Sequence, residues 1–89
     1  MEVVNIVERI VWDNIDTVMD RKEGLCKCEQ CRADIAACAL NILKPKYVTT
    51  EKGEVMAKAL SLGLQAHIMT ITALAEAVEM VHARPRHNR

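Results

Sequence analysis

The sequence predicts an all-α fold, a small helical domain built from two long helices and one short buried helix. Three observations carry that expectation. Apolar residues recur at a 3.6-residue period along two long stretches. The apolar palette is Val, Ile, Leu, Met and Ala, with Trp12 and Tyr47 as the only large rings and no Phe. Loop signals such as Gly24, Lys44-Pro45 and Gly53 fall between the periodic stretches and not inside them.

The first long helix is expected from about Glu2 to Asp20. Val3, Val4, Ile6, Val7, Ile10, Val11, Ile15 and Val18 share one side at 100° per residue, with Glu2, Asn5, Arg9, Asp13, Asp16 and Asp20 opposite. The β-branched content would suit a strand, but two-residue alternation fails at Ile6-Val7 and Ile10-Val11. Residues 21–33 form a loop. The short helix is expected to begin at Asp34 as its N-cap and to run through Ile35-Ala36-Ala37-Cys38-Ala39-Leu40-Asn41-Ile42-Leu43. It is apolar on nearly every side and belongs in the middle of the fold. Pro45 ends it, because a residue before proline avoids the helical region. Tyr47-Val48-Thr49-Thr50 is a short extended piece and Glu51-Lys52-Gly53 a turn.

The second long helix is expected from about Glu54 to Ala83. Met56, Leu60, Gly63, His67, Thr70, Leu74, Ala77 and Val81 keep a 4-3-4-3 spacing, the geometry of a helix lying along another helix. A neighbouring stripe of Ala57, Leu64, Ile68, Ile71, Ala75 and Val78 is apolar too. Two seams need two partners, and in so short a chain one of them is expected to be a second copy. The dimer would be intertwined or side by side. Residues 1–83 read as a single helical domain and residues 84–89 as a basic, solvated tail.

The 89 residues sit near the size at which a lone hydrophobic core is marginal, so a metal or a partner chain is expected to help. Cys26-x-Cys28-x-x-Cys31, followed by Cys38, supplies four thiols within thirteen consecutive residues. Four sulfurs at about 2.3 Å make a closed, structural zinc site. If Cys31 and Cys38 lay on one continuous helix they would stand about 10 Å apart along its axis, too far to share an ion. Cys31 is therefore expected to precede the helix, in keeping with a cap at Asp34. Lys22, Lys27 and Arg32 are placed to offset the charge of a four-thiolate zinc centre. An iron–sulfur cluster, redox thiols and unliganded thiols are other readings of the same residues.

Twelve basic and twelve acidic side chains cancel, which argues against a general nucleic-acid binder. No apolar run is long enough to span a membrane, and the polar residues of the first segment argue against a signal peptide. The cytoplasm is the expected location. No Gly-rich phosphate loop, nucleophile elbow or His-Glu-x-x-His motif is present, so an enzyme is not expected. Asp34 and Arg32 read first as a cap and a charge balance. Arg32, Lys46 and Tyr47 are also candidate nucleotide contacts, through a guanidinium on phosphate or guanine and a ring on a base. His67, on the apolar stripe, reads as a core or interface histidine.

The run from Cys26 to Val48, with Cys26-x-Cys28-x-x-Cys31, Asp34-Ile35, Ala39-Leu40-Asn41 and Pro45-Lys46-Tyr47-Val48, resembles the signature of the ComFB family of late-competence development proteins. That signature is a Cys-rich loop, Asp-Ile, Ala-Leu-Asn and Leu-Pro-Pro-x-Tyr-Val. The likeness extends from about residue 4 to residue 80; Lys44 departs from it, standing where the first proline is usual. The resemblance implies an all-helical, zinc-containing, dimeric protein without catalytic activity, encoded with the DNA-uptake machinery of some bacteria. It carries the zinc ligands onto Cys26, Cys28, Cys31 and Cys38, one ion per chain. Cyanobacterial relatives are regarded as receptors for cyclic di-GMP, which makes that dinucleotide the alternative partner to a protein of the competence machinery.

Overall fold

A computed structural model describes residues 2–49 and 63–85. In order they form β1 (Val3–Asn5), α1 (Ile6–Met19), α2 (Glu29–Ile42), β2 (Tyr47–Thr49) and α3 (Leu64–Ala83). The expectations placed on residues 50–62, including Met56, Ala57 and Leu60, lie outside the described residues, as do residues 86–89 of the tail.

The fold is mostly helical, with one small addition. β1 and β2 pair antiparallel, Val3 opposite Thr49, Val4 opposite Val48 and Asn5 opposite Tyr47. The first residues are therefore strand and not the opening turn of a helix. Branching at Val3 and Val4 favours extended backbone, and the extended Tyr47-Val48-Thr49 gives it a partner. Asn5 makes the switch between the two states. Its Oδ1 accepts from the Val7 N–H at 3.2 Å, capping α1, and from the Lys46 N–H at 2.9 Å. The Ile6 N–H donates to the Lys46 carbonyl at 2.8 Å. One side chain thus ends a strand, starts a helix and ties both to the return of the chain.

α1 buries Ile6, Val11, Ile15, Val18 and Met19, the face its periodicity marks. Beyond it Gly24 takes a φ of +75°, a left-handed conformation that a side chain makes costly. This turn carries Leu25 back into the core. α2 is as long as α1, 14 residues each, and begins five residues before Asp34, which lies inside it. It is also less enclosed than its composition implies. Cys31, Ile35, Ala36 and Ala39 are buried, whereas Ala33, Ala37 and Asn41 form an exposed line at four-residue spacing.

α3 lays Thr70, Ala73, Leu74, Ala77, Val78 and Val81 into the same core. The buried Thr70 hydroxyl returns to the Ala66 carbonyl at 3.0 Å, so its polar atom is satisfied within the helix. Ala36 and Ala39 on α2, with Ala73 and Ala77 on α3, are at most 2% exposed; small side chains like these let helix backbones approach closely. His67 is exposed and is not the core histidine its stripe implied. Met80 lies beside Cys38, and Ile42 and Leu43 line a cleft with Ile68, Met69, Thr72 and Ala73. α2 and α3 are therefore antiparallel, and the last turn of α3 comes to the first turns of α2. Among the described residues no helix is long and apolar enough to cross a membrane.

Candidate metal centre

The loop after Gly24 and the first turn of α2 bring three thiols together. The Sγ atoms of Cys26, Cys28 and Cys31 all lie within 4.8 Å of one another. Cys28 is the N-cap of α2, with extended backbone at φ −69° and ψ 164°, and its Sγ accepts from the Cys31 N–H at 3.4 Å. The sulfur takes the role that a Ser or Asp oxygen has at most helix starts. The Cys28 carbonyl accepts from the Arg32 N–H at 2.9 Å, closing the first turn. A helix therefore starts at Cys28 because a sulfur can cap it, and this places Cys31 inside the helix on its buried face.

The electrostatics of the three sulfurs differ with their positions. The Cys31 backbone N–H holds the Cys28 thiol below its ordinary pKa, as helix N-termini do for anions. Burial pushes the Cys31 thiol up to about 12, and its hydrogen bonds to Cys28 and Cys26 add to the rise. A cation held by these sulfurs would supply the positive charge that favours their thiolate forms.

The donor chemistry fits a thiophilic ion. Tetrahedral zinc at about 2.3 Å from each sulfur needs sulfur–sulfur separations of about 3.8 Å, and thiols within 4.8 Å need to close by only about 1 Å. Cys26 and Cys28 are both half-buried and free of disulfides. Cys38 does not join this group. It sits seven residues beyond Cys31 on the same helix, about 10 Å along the axis, and its thiol donates to the Met80 Sδ at 3.5 Å. Cys31 lies inside the helix and does not precede it as expected, so Cys31 and Cys38 share one continuous helix and Cys38 stands apart from the triad.

Arg32 lies on the outer side of α2 and is already engaged. Its Nε donates to Asp16 Oδ1 at 2.9 Å and its Nη2 to Asp16 Oδ2 at 3.3 Å. Its guanidinium carbon stands 4.8 Å from the centroid of the Trp12 ring, within cation–π range. The hydrogen bond from Arg32 holds the Asp16 carboxyl below its ordinary pKa. Trp12 also lines a cleft of ≈ 410 Å³ with Val3, Val4, Asn5, Glu8, Arg9 and Tyr47. Tyr47 is 66% exposed. The Lys46 backbone serves Asn5 and Ile6. The sequence marked Arg32 and Tyr47 as candidate contacts but not the pairing of Arg32 with Trp12 and Asp16, since nothing local links Asp16 to a residue sixteen positions later.

Similarity to known proteins agrees with this geometry. Residues 4–85 match the family model described as late competence development protein ComFB. This chain belongs to the ComFB family. Competence protein ComFB of Bacillus subtilis strain 168 is 32% identical over 82 residues, covering 92% of this chain and 84% of that protein. A solved structure, described as the structural characterization of the late competence protein ComFB from Bacillus subtilis, is similar with a TM-score of 0.85 and 30% identity. That alignment covers 98% of this chain and 96% of the other. The Cys triad, the Asn5 switch and the antiparallel α2–α3 pair are thus features of a ComFB-family chain, and its small sheet is what the all-helical expectation lacked.

Proposed function

We propose that this ComFB-family chain is a non-catalytic, zinc-dependent protein of late competence that works as a homodimeric interaction module in the cytoplasm. The observation that carries the reading is the thiol triad at the start of α2, where Cys31 is part of the hydrophobic core. An ion there would be held by Cys26, Cys28 and Cys31, one per chain. When bound it supplies positive charge that joins the loop to the helix. Leu25 and Cys31 belong to one buried cluster with Val18 of α1 and Val81 of α3, so fixing the loop fixes the meeting point of all three helices. The function is therefore structural: a held surface offered to a protein partner of the DNA-uptake machinery.

The dimer draws support from a cleft of ≈ 400 Å³ between the end of α2 and the start of α3, lined by Ile42, Leu43, Ile68, Met69 and Thr72 among others. Ile68 and Met69 are about half exposed at 52% and 53%, a cost that association would remove. Metal analysis of gently purified protein tests the reading, with about one zinc per chain expected. Cys28→Ser should lose the metal while Cys38→Ser keeps it. A wild-type protein with less than about a third of an equivalent would refute the zinc reading.

A second reading is favoured by the Trp12–Tyr47 cleft: recognition of cyclic di-GMP. Two rings and Arg9 lining one cleft, with Arg32 over Trp12, are groups of the kind that stack on guanine and meet phosphate. Calorimetric titration with cyclic di-GMP separates the readings. Heat that disappears in Tyr47→Ala and falls in Arg32→Ala supports a receptor. An athermal titration with no displacement of a fluorescent cyclic dinucleotide excludes it.

A further inference from the structure

We propose, resting on the zinc reading above, that Arg32 is a positioning residue that couples the thiol triad to Trp12, so that occupancy of the metal centre sets the cleft beside α1. Arg32 follows Cys31 directly, and its backbone N–H donates to the Cys28 carbonyl at 2.9 Å. That is the first main-chain bond of α2, made to its cap residue. The same turn is also held by the Cys31 N–H on the Cys28 Sγ, at 3.4 Å. Helix ends held this lightly fray. Cys28 and Cys31 stand at the two ends of this turn. Sulfurs that share an ion cannot separate, so a filled site fixes the turn and with it the backbone from which the Arg32 side chain leaves.

The far end of Arg32 is anchored on another element. Its Nε and Nη2 reach the two Asp16 oxygens at 2.9 and 3.3 Å, and its guanidinium carbon stands 4.8 Å from the centre of the Trp12 ring. Trp12 and Asp16 are four residues apart on α1, on one face of the helix. A planar fork fixed at both ends passes on a movement of its root, which a point charge on a flexible stem does poorly. Lys27 supplies the contrast. It lies between Cys26 and Cys28 in the chain and reaches Asp20, the C-cap of α1, at 2.8 Å. Two cations that flank the triad thus hold carboxylates on successive turns of α1, and of the two it is Arg32 that lies over the ring. The ring in turn lines the cleft of ≈ 410 Å³ with Glu8, Arg9 and Tyr47.

Coupling of this kind is reciprocal: whatever the filled site does for the Trp12 contact, the contact does for metal affinity. The Arg32 and Asp16 side chains are 39% and 68% exposed, so the link is modest. An exposed ion pair and a cation–π contact together limit it to about three- to tenfold in affinity. Trp12 is the single tryptophan of the sequence, and its emission therefore reports on this place alone.

The test is acrylamide quenching of Trp12 emission, together with zinc affinity measured against a competing chelator. Both are taken on the full chain and on Arg32→Ala, Arg32→Lys and Lys27→Ala, with far-ultraviolet circular dichroism in parallel. In the wild type, quenching should rise as the chelator removes zinc and return when zinc is added. In Arg32→Ala it should stand at the metal-free level throughout, with zinc bound about three- to tenfold more weakly. Arg32→Lys keeps the charge without the fork or the plane and should behave as Arg32→Ala. Lys27→Ala should keep the wild-type response. The same response in Arg32→Ala as in the wild type would overturn the inference, as would a wild-type Trp12 indifferent to removal of the metal. So would a full response in Arg32→Lys or one abolished in Lys27→Ala, since charge near the sulfurs would then carry the link. If the metal-free chain loses its helical signal, the loaded forms decide: equal quenching and equal zinc affinity in the wild type and Arg32→Ala contradict the coupling. Failure to bind stoichiometric zinc at all would refute the underlying metal reading instead.

Discussion

Arg32 illustrates how a side chain with an obvious chemical use can be committed to another. Its fork grips Asp16 and its guanidinium carbon lies over Trp12, so it fastens α2 to α1. The ion pair is exposed, and such pairs contribute little to stability. Its value here is positional, holding a ring at the mouth of the cleft. The sign of its pH dependence follows from the lowered Asp16 pKa. A carboxyl whose folded-state pKa is depressed stabilises the fold above its unfolded-state pKa, and that stabilisation disappears as pH falls through the folded-state value. Carboxyl-carbon NMR should give Asp16 a midpoint below the ordinary carboxylate range in the wild type and an ordinary one in Arg32→Ala. An unchanged midpoint would show that the pair does not form in solution. The three cysteines of the triad were legible from spacing alone. The separation of Cys38 was not, because what holds it is Met80, 42 positions away.

Among the elements, two misplaced helix boundaries share a cause. Helix periodicity carried α1 back to Glu2, and standard caps carried the start of α2 forward to Asp34. In both places a side chain with an unusual task decided the boundary. Asn5 serves a helix and a returning strand together, and Cys28 caps with sulfur. Parts of the long periodic faces were read correctly: Val11, Ile15 and Val18, and Leu74, Ala77 and Val81, are buried for reasons that need only a 3.6-residue repeat, whereas His67, Ile68 and Ala75 of the expected stripes are exposed. Asn5→Ala should therefore cost more than an ordinary cap. Loss of an N-cap alone typically costs about 1 kcal/mol, and the unanswered Lys46 N–H adds to it. Denaturant unfolding should show a loss of about 1–2 kcal/mol. A loss within error of zero would mean that water replaces both bonds and that the strand–helix switch is not held by Asn5. The exposed Ala33–Ala37–Asn41 line was missed because composition cannot say which side of an apolar helix another helix covers.

The molecule as a whole joins a modest core to a cluster of sulfurs, and the account stands or falls on that junction. The core is built from aliphatic side chains, with Trp12 and Tyr47 both outside it, so among the described residues no buried ring supplies the large burial that aromatic side chains usually give. Cys31 is at once a core residue and a member of the triad, so occupancy of the site and packing of the helices cannot be independent. Membership of the ComFB family was legible from residues 26–48, since that segment holds both the thiols and the exit of α2 toward β2. The quantity that depends most directly on the junction is thermal stability with and without metal. Unfolding of the zinc-loaded chain should be one cooperative transition. A strong chelator should lower its midpoint by at least about 10 °C, as expected when tight binding to the folded state alone is removed, and added zinc should restore it. A midpoint that is the same before and after complete removal of the metal would contradict the account.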